Sequence, residues 1–427
     1  MSAVPASGSF QYDVAVIGAG YVGVPLAATF AEAGQRVLLV DVQPHIVEAL
    51  NRGESHIEDV TSERLQALTA KGLVVATADY EQVKQAHAVL IALPTPLSRQ
   101  REPDLAYVER AAHSVAAVLQ RGQVIVLEST TWPGTTREIV QPILEQGSGL
   151  KAGEDFYLAM SPERVDPGRE DWTTKTTPKV VGGINPASTQ AAAEVYRAAI
   201  DTVHEVSTPD AAELTKLLEN IYRAVNIALV NELAQLCDRM EIDVWEVIDA
   251  AATKPFGFAS FKPGPGLGGH CIPIDPFYLT WKAREFDFST RFIELAGEVN
   301  NNMPYFCRSI ISQALNHGAQ KSVSGAKILI LGVAYKPDIG DMRETPAEKL
   351  IHLLQNAGAE VSYHDPFVPK FDGMTSAPLE PENYDCVAIV TNHSNVDYAD
   401  VVERGKVIVD FRNATKGVEV DGKVWKL

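Results

Sequence analysis

One cysteine of this sequence lies in a segment whose composition is typical of a ligand-binding loop. The segment runs from Pro255 to Pro276 and reads PFGFASFKPGPGLGGHCIPIDP. Glycines and prolines this dense exclude a regular helix or strand and allow the backbone to approach a ligand closely. Cys271 directly follows Gly268 and Gly269, which makes it a candidate nucleophile. The alternative is a buried, inert thiol, which is the usual state of a free cysteine.

The neighbours of Cys271 add a weaker indication of chemistry. Asp275 lies four residues on, and His270 is adjacent, but adjacent side chains in an extended segment point to opposite faces. We therefore expect His270 to contact a ligand or support the site rather than act as the base for Cys271. The other three cysteines are expected in the hydrophobic core: Cys237, Cys307 and Cys386. The absence of a CxxC pair or a zinc spacing argues against a disulfide framework and a metal site.

A lysine and an asparagine lie one helical turn apart in a long helical stretch. This stretch, Pro209 to Met240, has helical periodicity and no internal glycine or proline. Lys216 and Asn220 are spaced i, i+4 and so share one face, from which they can point into a site. A solvated lysine is the alternative. A helix of roughly 30 residues, about 45 Å long, is expected to join two α/β halves, and its apolar face is expected to form a homodimer.

A glycine pattern near the N-terminus predicts a dinucleotide site. Gly18, Gly20 and Gly23 form GxGxxG between a buried strand, Tyr12–Ile17, and an alanine-rich helix. Gly18 permits the turn, Gly20 lets the backbone approach the pyrophosphate, and Gly23 allows close helix packing. Asp41 ends the next strand, where it would bond the ribose hydroxyls and repel a 2′-phosphate. The pattern therefore favours NAD over NADP.

Polar motifs follow further strands of the same expected sheet. The strands are Ala88–Ala92, Val124–Leu127 and Tyr157–Met160. The residues after them stand at the carboxyl end of the sheet, where α/β proteins place ligands. These residues are Pro94-Thr95-Pro96, Glu128-Ser129-Thr130 and Ser161-Pro162-Glu163-Arg164.

A second, fainter copy of the N-terminal frame occurs near the C-terminus. It consists of strand Ala326–Leu331, a helix at Pro346–Asn356, and strand Glu360–Tyr363 followed by Asp365. The turn after its first strand, GVAYK from Gly332, lacks the second and third glycines. It could bind a different nucleotide. We expect an α/β fold class, with two Rossmann-like doubly wound domains joined by a long central helix and a helical middle domain. The predicted domains are 1–205 for NAD, 206–318 for the central and cysteine-loop part, and 319–427 for the second Rossmann-like part.

Bulk composition narrows the classes of function. The 427 residues carry a net charge of −18, which argues against nucleic-acid binding because that needs a basic face. No apolar run approaches the roughly 18 residues needed to span a bilayer, and no membrane partner is expected. The first residues, MSAVPASGSFQYD, read as a disordered tail rather than a signal peptide. A reducing cytoplasm is therefore expected.

These motifs, in this order, resemble the UDP-glucose/GDP-mannose dehydrogenase family over almost the whole chain. They are GAGYVG (18–23), PTP (94–96), EST (128–130), SPER (161–164), ELTKLLEN (213–220), PGPGLGGHCIPIDP (263–276) and GVAYKPDIGDMRETP (332–346). HCIPIDP, where glucose-type members have SCFPKD, is most similar to the UDP-N-acetylhexosamine branch. The expected substrate is UDP-N-acetylglucosamine, with UDP-N-acetylmannosamine second and UDP-glucose a further alternative.

The resemblance implies an NAD-dependent, four-electron oxidation of the sugar C6 alcohol to a uronic acid for surface-polysaccharide precursors. Cys271 would form a thiohemiacetal and then a thioester, and Glu163 would be the base that helps water to hydrolyse it. Lys216 and Asn220 would stabilise oxyanions, and Asp275 would hold Lys216 and a water.

The resemblance also implies binding roles for other residues. The expected NAD contacts are Gly18, Gly20, Tyr21, Val22, Gly23, Asp41, Thr95, Thr130 and Arg343, with Thr130 also counted as catalytic. The expected substrate contacts are Glu163, Arg164, Lys216, Asn220, Lys262, Gly264, Gly266, Gly268, Lys336 and Arg412.

The chain departs at one place from the pattern of the glucose-type members. Glucose-type members place an arginine that reaches the neighbouring subunit's substrate just before the cysteine loop, but this chain has Lys254-Pro255 there. That contact is therefore not carried over.

Two other functions are alternatives to this one. The first alternative is a two-electron dehydrogenase of the β-hydroxyacid type, which needs no cysteine. The second is a sugar-nucleotide-binding regulator with a dead site, against which intact Cys271, Lys216 and Glu163 argue.

Overall fold

The computed structural model describes residues 10–98, 102–165, 171–269, 272–419 and 422–427. The chain divides into two compact units. The first comprises Met1–Glu219 and Phe277–Asp287, and the second comprises Asn220–Pro276 and Phe288–Leu427. His270 and Cys271, for which the sequence makes specific predictions, lie outside the described residues.

The first unit is built on an eight-stranded sheet. Its strands are β1 (Tyr12–Ile17), β2 (Val37–Val40), β3 (Val74–Thr77), β4 (Ala86–Ile91), β5 (Val124–Leu127), β6 (Tyr157–Met160), β7 (Lys179–Gly183) and β8 (Val203–Val206). Their order is β3-β2-β1-β4-β5-β6-β7-β8, and β6 pairs with β7 antiparallel while the other neighbours run parallel. The strand order reverses between β1 and β4, which is where doubly wound sheets bind ligands.

Helices cover both faces of this sheet, which explains its almost uninterrupted apolar strands. Val14 and Val16 of β1 pack in one core cluster, while Ala15 and Ile17 pack in another. The helices are α1 (Gly23–Glu32), α2 (Pro44–Asn51), α3 (Ser62–Ala70), α4 (Ala106–Ala116), α5 (Gln141–Ser148) and α6 (Pro186–Arg197), with short helical turns at Tyr80–Gln85 and Thr136–Val140.

A 32-residue helix, α7 (Pro209–Met240), contains the boundary between the units. The Thr208 hydroxyl accepts a hydrogen bond from the backbone N–H of Ala211 at 3.2 Å, so Thr208 caps the helix as its residue type predicts. Two further helices follow α7 in the chain, α8 (Val244–Ala252) and α9 (Asp275–Ala283), and a short turn at Arg284–Phe286 completes the return to the first unit.

The second unit contains a five-stranded parallel sheet. Its strands are β9 (Lys327–Leu331), β10 (Glu360–His364), β13 (Cys386–Ile389), β14 (Ile408–Asp410) and β15 (Val424–Lys426), in the order β10-β9-β13-β14-β15. A two-stranded hairpin is formed by β11 (Lys370–Phe371) and β12 (Met374–Thr375), and a short turn covers Pro381–Asn383. The remaining helices are α10 (Arg291–Gly318), α11 (Pro346–Asn356) and α12 (Tyr398–Arg404).

The expected α/β class with two Rossmann-like sheets is confirmed. The sequence analysis missed β3, β7, β8, β14, β15 and α9. It was also wrong to extend the irregular cysteine segment to Pro276, because α9 begins at Asp275. An acidic residue followed by proline is a usual helix start. The boundaries proposed for three domains stay a prediction. Within the described ranges, no helix has the length and apolar character that a bilayer crossing requires.

Candidate functional site

The turn after β1 is shaped for a ligand of the first unit. Gly18 has φ of +104°, and a Cβ there would lie 2.4 Å from the carbonyl oxygen of Ala92. A Cβ on Gly23 would lie 1.8 Å from the oxygen of Gly18, so the close approach of helix to strand requires glycine. Gly20 is exposed, with no heavy atom within 4 Å of its Cβ position. This open position beside a helix N-terminus suits a diphosphate.

The neighbouring residues fit the rest of a dinucleotide. Asp41 follows β2 and accepts hydrogen bonds from the backbone N–H groups of Ala19 at 3.0 Å and Gln43 at 2.9 Å. Its carboxylate thus stands beside the glycine turn, where a ribose would lie. Tyr21 is exposed and Val22 is half-buried at the start of α1. These residues fit NAD.

The loops after β4 and β5 are joined by hydrogen bonds. The hydroxyl of Thr95 donates to the carbonyl oxygen of Thr130 at 2.8 Å, so the structure brings together two residues predicted to contact NAD. Ser129 Oγ accepts from the backbone N–H of Leu93 at 2.9 Å. From α9, the Tyr278 hydroxyl donates to the carbonyl oxygen of Thr95. The return of α9 to this unit therefore helps to hold the Thr95 loop.

A buried carboxylate that the sequence analysis missed fixes the loop after Thr130. Glu213 of α7 accepts hydrogen bonds from the backbone N–H of Gly134 at 2.7 Å, and from Thr136 through its N–H at 2.9 Å and its hydroxyl at 2.7 Å. Burial raises the pKa of Glu213 to about 7, although these three donors oppose the rise. A carboxylate in an otherwise apolar helical face was the available sequence signal.

Glu163 follows β6 in the first unit, as predicted. Its Oε1 accepts hydrogen bonds from the backbone N–H groups of Arg164 and Val165, both at 2.8 Å, and its Oε2 lies 3.1 Å from Nζ of Lys179. Burial acts to raise the pKa of this carboxyl, but the charge of Lys179, the bonds from Val165 and Lys179, and the charge of Lys216 hold it below its ordinary value. Glu163 is therefore ionised at neutral pH. Arg164 forms an ion pair with Glu219 at 2.6 Å.

Lys216 is buried in the first unit. Its residue is 8% exposed, which rules out the alternative of a solvated lysine. Among the residues that the structure describes, none forms a hydrogen bond or ion pair with its Nζ, yet its charge lowers the pKa of Glu163. A buried ammonium group without a hydrogen-bonded counter-ion is costly, so it usually marks a place where an anionic or polar ligand group binds.

Two further predicted site residues, Asn220 and Asp275, meet in the second unit. Nδ2 of Asn220 donates to Oδ2 of Asp275 at 2.5 Å, and both residues are buried. The pair joins α7 to the start of α9, directly after the segment that carries Cys271. The expected hold of Asp275 on Lys216 stays a prediction.

An asparagine pair that the sequence analysis missed holds the glycine-rich loop. Oδ1 of Asn231 in α7 accepts from the backbone N–H of Gly264 at 2.9 Å, and its Nδ2 donates to Oδ1 of Asn300 in α10 at 2.9 Å. Nδ2 of Asn300 in turn donates to the carbonyl oxygen of Ala224 at 3.1 Å. Asn231 and Asn300 are buried, so the loop is fixed to two helices through a fully bonded polar chain.

Several predicted substrate residues meet along this loop in the second unit. Arg412, which follows β14, lies against the backbone of Gly264. A Cβ on Gly264 would be only 2.4 Å from Nη1 of Arg412. Nε of Arg412 donates to the carbonyl oxygen of Val390 at 2.7 Å, and burial lowers the pKa of this guanidinium to about 10. A Cβ on Gly268 would be 2.6 Å from Cβ of Tyr335. Glycine therefore allows the loop to pack directly on the C-terminal sheet domain.

The other predicted binding residues also lie in the second unit. The N–H of Gly269 donates to the carbonyl oxygen of Arg343 at 3.0 Å, and the guanidinium of Arg343 pairs with Asp341 at 2.6 Å. Lys336 and Gly266 are half-buried and Lys262 is exposed. The structure thus places Arg343 in the second unit, and its expected contact with NAD stays a prediction.

The turn after β9 shows how the second Rossmann-like sheet differs from the first. Oδ2 of Asp365, after β10, accepts from the N–H groups of Val333 at 2.7 Å and Ala334 at 3.0 Å. His393 lies 3.0 Å from the same oxygen, and the side chains of Asp365 and His393 are completely buried. The N–H groups that could face a phosphate are therefore occupied by a carboxylate of the same domain.

The three described cysteines are free and buried, as the sequence analysis expected. Burial raises the pKa of the Cys307 and Cys386 thiols well above their ordinary value, so neither is a nucleophile at neutral pH. Within the described ranges, no group of three or more His, Cys, Asp or Glu side chains is arranged to hold a metal ion.

Comparison with known proteins agrees with the order of these parts. The NAD binding domain of the UDP-glucose/GDP-mannose dehydrogenase family matches residues 12–200, the central domain of that family matches 210–302, and its UDP binding domain matches 329–417.

Individual proteins resemble the chain over nearly its full length. A UDP-N-acetyl-D-mannosamine dehydrogenase of Pyrococcus horikoshii is 36% identical over 94% of this chain and 96% of its own. A UDP-N-acetyl-D-glucosamine 6-dehydrogenase of Pseudomonas aeruginosa is 32% identical over 89% of this chain and 90% of its own. A solved structure of a UDP-D-ManNAc dehydrogenase from Pyrococcus horikoshii superposes with a TM-score of 0.90 at 35% identity, covering 97% of this chain and 98% of the other.

Replacement of Glu213 by glutamine should change how stability depends on pH. Because burial raises the pKa of Glu213 from 4.5 to about 7, its contribution to stability is present below pH 4.5 and lost as pH rises through 7. The free energy of unfolding of wild type relative to Glu213→Gln should therefore fall over that range, by no more than roughly 3 kcal/mol. Urea unfolding at several pH values measures this difference. Glu109→Gln, at an exposed position of α4, is the control. Parallel pH curves for wild type and Glu213→Gln would contradict the assignment.

Replacement of Asn231 by alanine should loosen the glycine-rich loop. The change leaves the N–H of Gly264 and Oδ1 of Asn300 without partners, at a cost of about 1–3 kcal/mol for each group. Hydrogen–deuterium exchange of the peptide covering 262–269 should become faster. Asn226→Ala is the matched control, because the Asn226 amide bonds only to the carbonyl oxygen of Tyr222 in its own helix. Unchanged exchange in Asn231→Ala would show that the bond does not hold the loop.

Proposed function

This chain belongs to the UDP-glucose/GDP-mannose dehydrogenase family, and we propose that it oxidises the C6 alcohol of a UDP-N-acetylhexosamine to a carboxylate. The resemblance seen in the sequence is thereby confirmed, as are the NAD cofactor and the class of NAD-dependent oxidoreductase. The substrate, the covalent intermediate and the roles of single residues belong to the proposal.

The proposed sugar is an N-acetylated hexosamine linked to UDP. UDP-N-acetylglucosamine was the first expectation from the HCIPIDP motif, and a relative 32% identical is named for that sugar. A relative 36% identical is named for UDP-N-acetyl-D-mannosamine, which supports the second expectation at least as well. We keep both epimers as candidates, since the orientation of one substituent is read by pocket shape. Products of either type would serve as precursors of surface polysaccharides.

The observation that carries the proposal is the buried Lys216 of α7. An ammonium group that is 8% exposed and has no hydrogen-bonded counter-ion among the described residues can stabilise a negative charge that develops on substrate oxygen. Asn220, one helical turn further along α7, supplies an amide whose Nδ2 is oriented by Asp275. These two groups are proposed to bind the C6 oxygen as alkoxide and as thiohemiacetal oxyanion.

The glycine turn at 18–23, Asp41 and the Thr95–Thr130 pair are proposed to hold the cofactor. Bound NAD supplies a hydride acceptor, and two equivalents are needed because an alcohol loses four electrons on its way to a carboxylate. The chain's own groups orient the sugar and manage its protons. Asp41 favours the unphosphorylated ribose of NAD.

Cys271 is proposed to make the second oxidation possible. Loss of a hydride and the hydroxyl proton converts the alcohol to an aldehyde, which does not readily lose another hydride. Addition of the Cys271 thiolate to the aldehyde carbon forms a C–S bond and a thiohemiacetal whose oxyanion Lys216 stabilises. Loss of the second hydride from that carbon leaves a thioester.

Glu163 is proposed to assist the final hydrolysis. Water adds to the thioester carbonyl carbon, the C–S bond breaks, and the Cys271 thiolate leaves. The carboxylate of Glu163 accepts a proton from that water, which it can do because its pKa lies below its ordinary value and it is ionised at neutral pH. The product is a uronic acid still attached to UDP.

A homodimer is proposed from the surface of α7 in the second unit. Large apolar side chains there are 39–56% exposed: Tyr222, Leu229, Leu233, Leu236 and Met240. An apolar stripe of this kind on a long helix usually packs against another protein surface. A solution mass equal to that of one chain would contradict the dimer.

The proposed reaction should release two NADH for each sugar consumed. A panel of UDP-GlcNAc, UDP-ManNAc, UDP-GalNAc, UDP-glucose and GDP-mannose, assayed for NADH absorbance and product mass, identifies the substrate and the stoichiometry. One NADH per sugar would favour a two-electron dehydrogenase of the β-hydroxyacid type. No NADH with any member of the panel would favour a sugar-nucleotide-binding regulator.

The variant Cys271→Ser should still bind NAD and the sugar nucleotide but form acid more slowly, by roughly two orders of magnitude or more, because no thioester can form. Isothermal titration measures binding, and product mass measures acid. Cys237→Ser, at a buried position of α7, is the matched control and should turn over normally. Full turnover by Cys271→Ser would exclude the covalent step.

A further inference from the structure

A chain of buried ionisable groups lies behind Glu163 in the first unit. Lys179, the first residue of β7, lies between two carboxylates, with Nζ 2.7 Å from Oε2 of Glu128 and 3.1 Å from Oε2 of Glu163. The hydroxyl of Tyr196 in α6 donates to the other oxygen of Glu128. Strand ends of β5 and β6, the start of β7 and helix α6 thus meet at one ammonium group.

Burial of these charged groups costs free energy. The side chains of Glu128, Lys179 and Glu163 are 0%, 4% and 15% exposed. Removing an ion from water costs several kcal/mol, and apolar residues of similar volume often replace a buried ion pair without loss of stability. Two carboxylates therefore share one ammonium group in the interior of the first unit.

The hydrogen bonds of Glu163 show what Lys179 contributes. Oε1 of Glu163 is held by two backbone N–H groups of its own loop. Oε2 is held by Lys179. The guanidinium of Arg164, next in the chain, is directed elsewhere, to Glu219 at 2.6 Å and to the carbonyl oxygen of Pro178 at 2.6 Å. Within the described part of the chain, Lys179 is therefore the side chain that sets the direction of Oε2.

We propose that Lys179 is a positioning residue for the hydrolytic step, which holds the carboxylate of Glu163 ionised and oriented toward the water that attacks the thioester. This inference rests on the role proposed above for Glu163. Glu128 and Tyr196 fix the ammonium group from the opposite side, so that its hydrogen bond to Glu163 has one geometry. Oε2 keeps a lone pair with which to accept a proton.

The charges around Glu163 agree with this role. Burial would raise the pKa of Glu163, but the charge of Lys179 is the largest of the effects that lower it. Glu128 competes with Glu163 for the ammonium group of Lys179, and burial raises the pKa of Glu128. Among the residues that the structure describes, the charged and titratable groups around Glu163 are Lys179 from β7, Lys216 from α7, Glu128 from the loop after β5, and Tyr196 from α6 through Glu128.

Loss of Lys179 should change how kcat depends on pH. Without Lys179, burial and the neighbouring Glu128 raise the pKa of Glu163. Hydrolysis requires the ionised carboxylate, so the acidic limb of the kcat profile should move to higher pH, by about one unit or more. At neutral pH hydrolysis should become slower than formation of the thioester.

The test compares Lys179→Met with wild type and with Lys282→Met in the full-length enzyme. Lys282 is a matched control, since it is also a buried lysine bridging two carboxylates of the first unit, Glu138 and Glu285, both at 2.7 Å. The substrate is the UDP-sugar that gives NADH with wild type. Acid-quenched samples are analysed by mass spectrometry for a uronyl adduct on Cys271, and kcat is measured against pH.

Lys179→Met is expected to lower kcat about tenfold or more, to accumulate the adduct, and to shift the acidic limb upward, while Lys282→Met does none of these. Loss of Lys179 leaves Glu128 unpaired, so Glu128→Gln/Lys179→Met is made as well. The double variant relieves that buried charge and should fold, yet it should still accumulate the adduct.

Two outcomes overturn the inference. One is normal turnover without adduct in either variant that lacks Lys179. The other is a lowered rate with no adduct and an unmoved acidic limb, which is the behaviour of a purely structural lysine. Both are read against an active wild type. An inactive wild type would instead refute the proposed function itself.

Discussion

Irregular backbone next to a ligand site cannot satisfy its own N–H groups, and this constraint organises the structure of this protein. Buried amides without partners are costly, so each such segment needs an acceptor from elsewhere. Glu213 serves the segment at Gly134–Thr136, and Asn231 serves the glycine-rich loop at Gly264. Both acceptors belong to α7. The long helix thus supplies Glu213 to a loop of the first unit and Asn231 to a loop of the second.

The same helix also carries Lys216 and Asn220, so the candidate reactive groups lie between the two supporting ones along the chain. A helix fixes the spacing of its side chains more strictly than a loop does, which favours precise placement of charge. Glu163 is positioned differently, because it lies on a loop and is held by backbone N–H groups of that loop and by Lys179. The proposed oxidation and the proposed hydrolysis therefore depend on groups that are positioned in different ways.

The sequence was most informative where one residue type serves one local need. The glycines at 18–23, the uninterrupted helical pattern of α7 and the repeated Rossmann frame each follow from local geometry, and they predicted the fold class. It was least informative about partners that are far apart in the chain. Lys179 and Glu128 are separated by 51 positions, and Glu213 and Gly134 by 79. The partner of each such residue depends on how strands and helices cross in the folded unit.

Asp365 holds the turn after β9 more completely than Asp41 holds the turn after β1, because Asp365 accepts from two backbone N–H groups of its turn and Asp41 accepts from one. In a nucleotide-binding turn the bound phosphate completes the hydrogen bonding of the backbone, and the domain gains stability from its ligand by mass action. In the second sheet a resident anion already occupies the first two amides after Gly332. The hydrogen bonding of these two amides is therefore complete without a bound ligand.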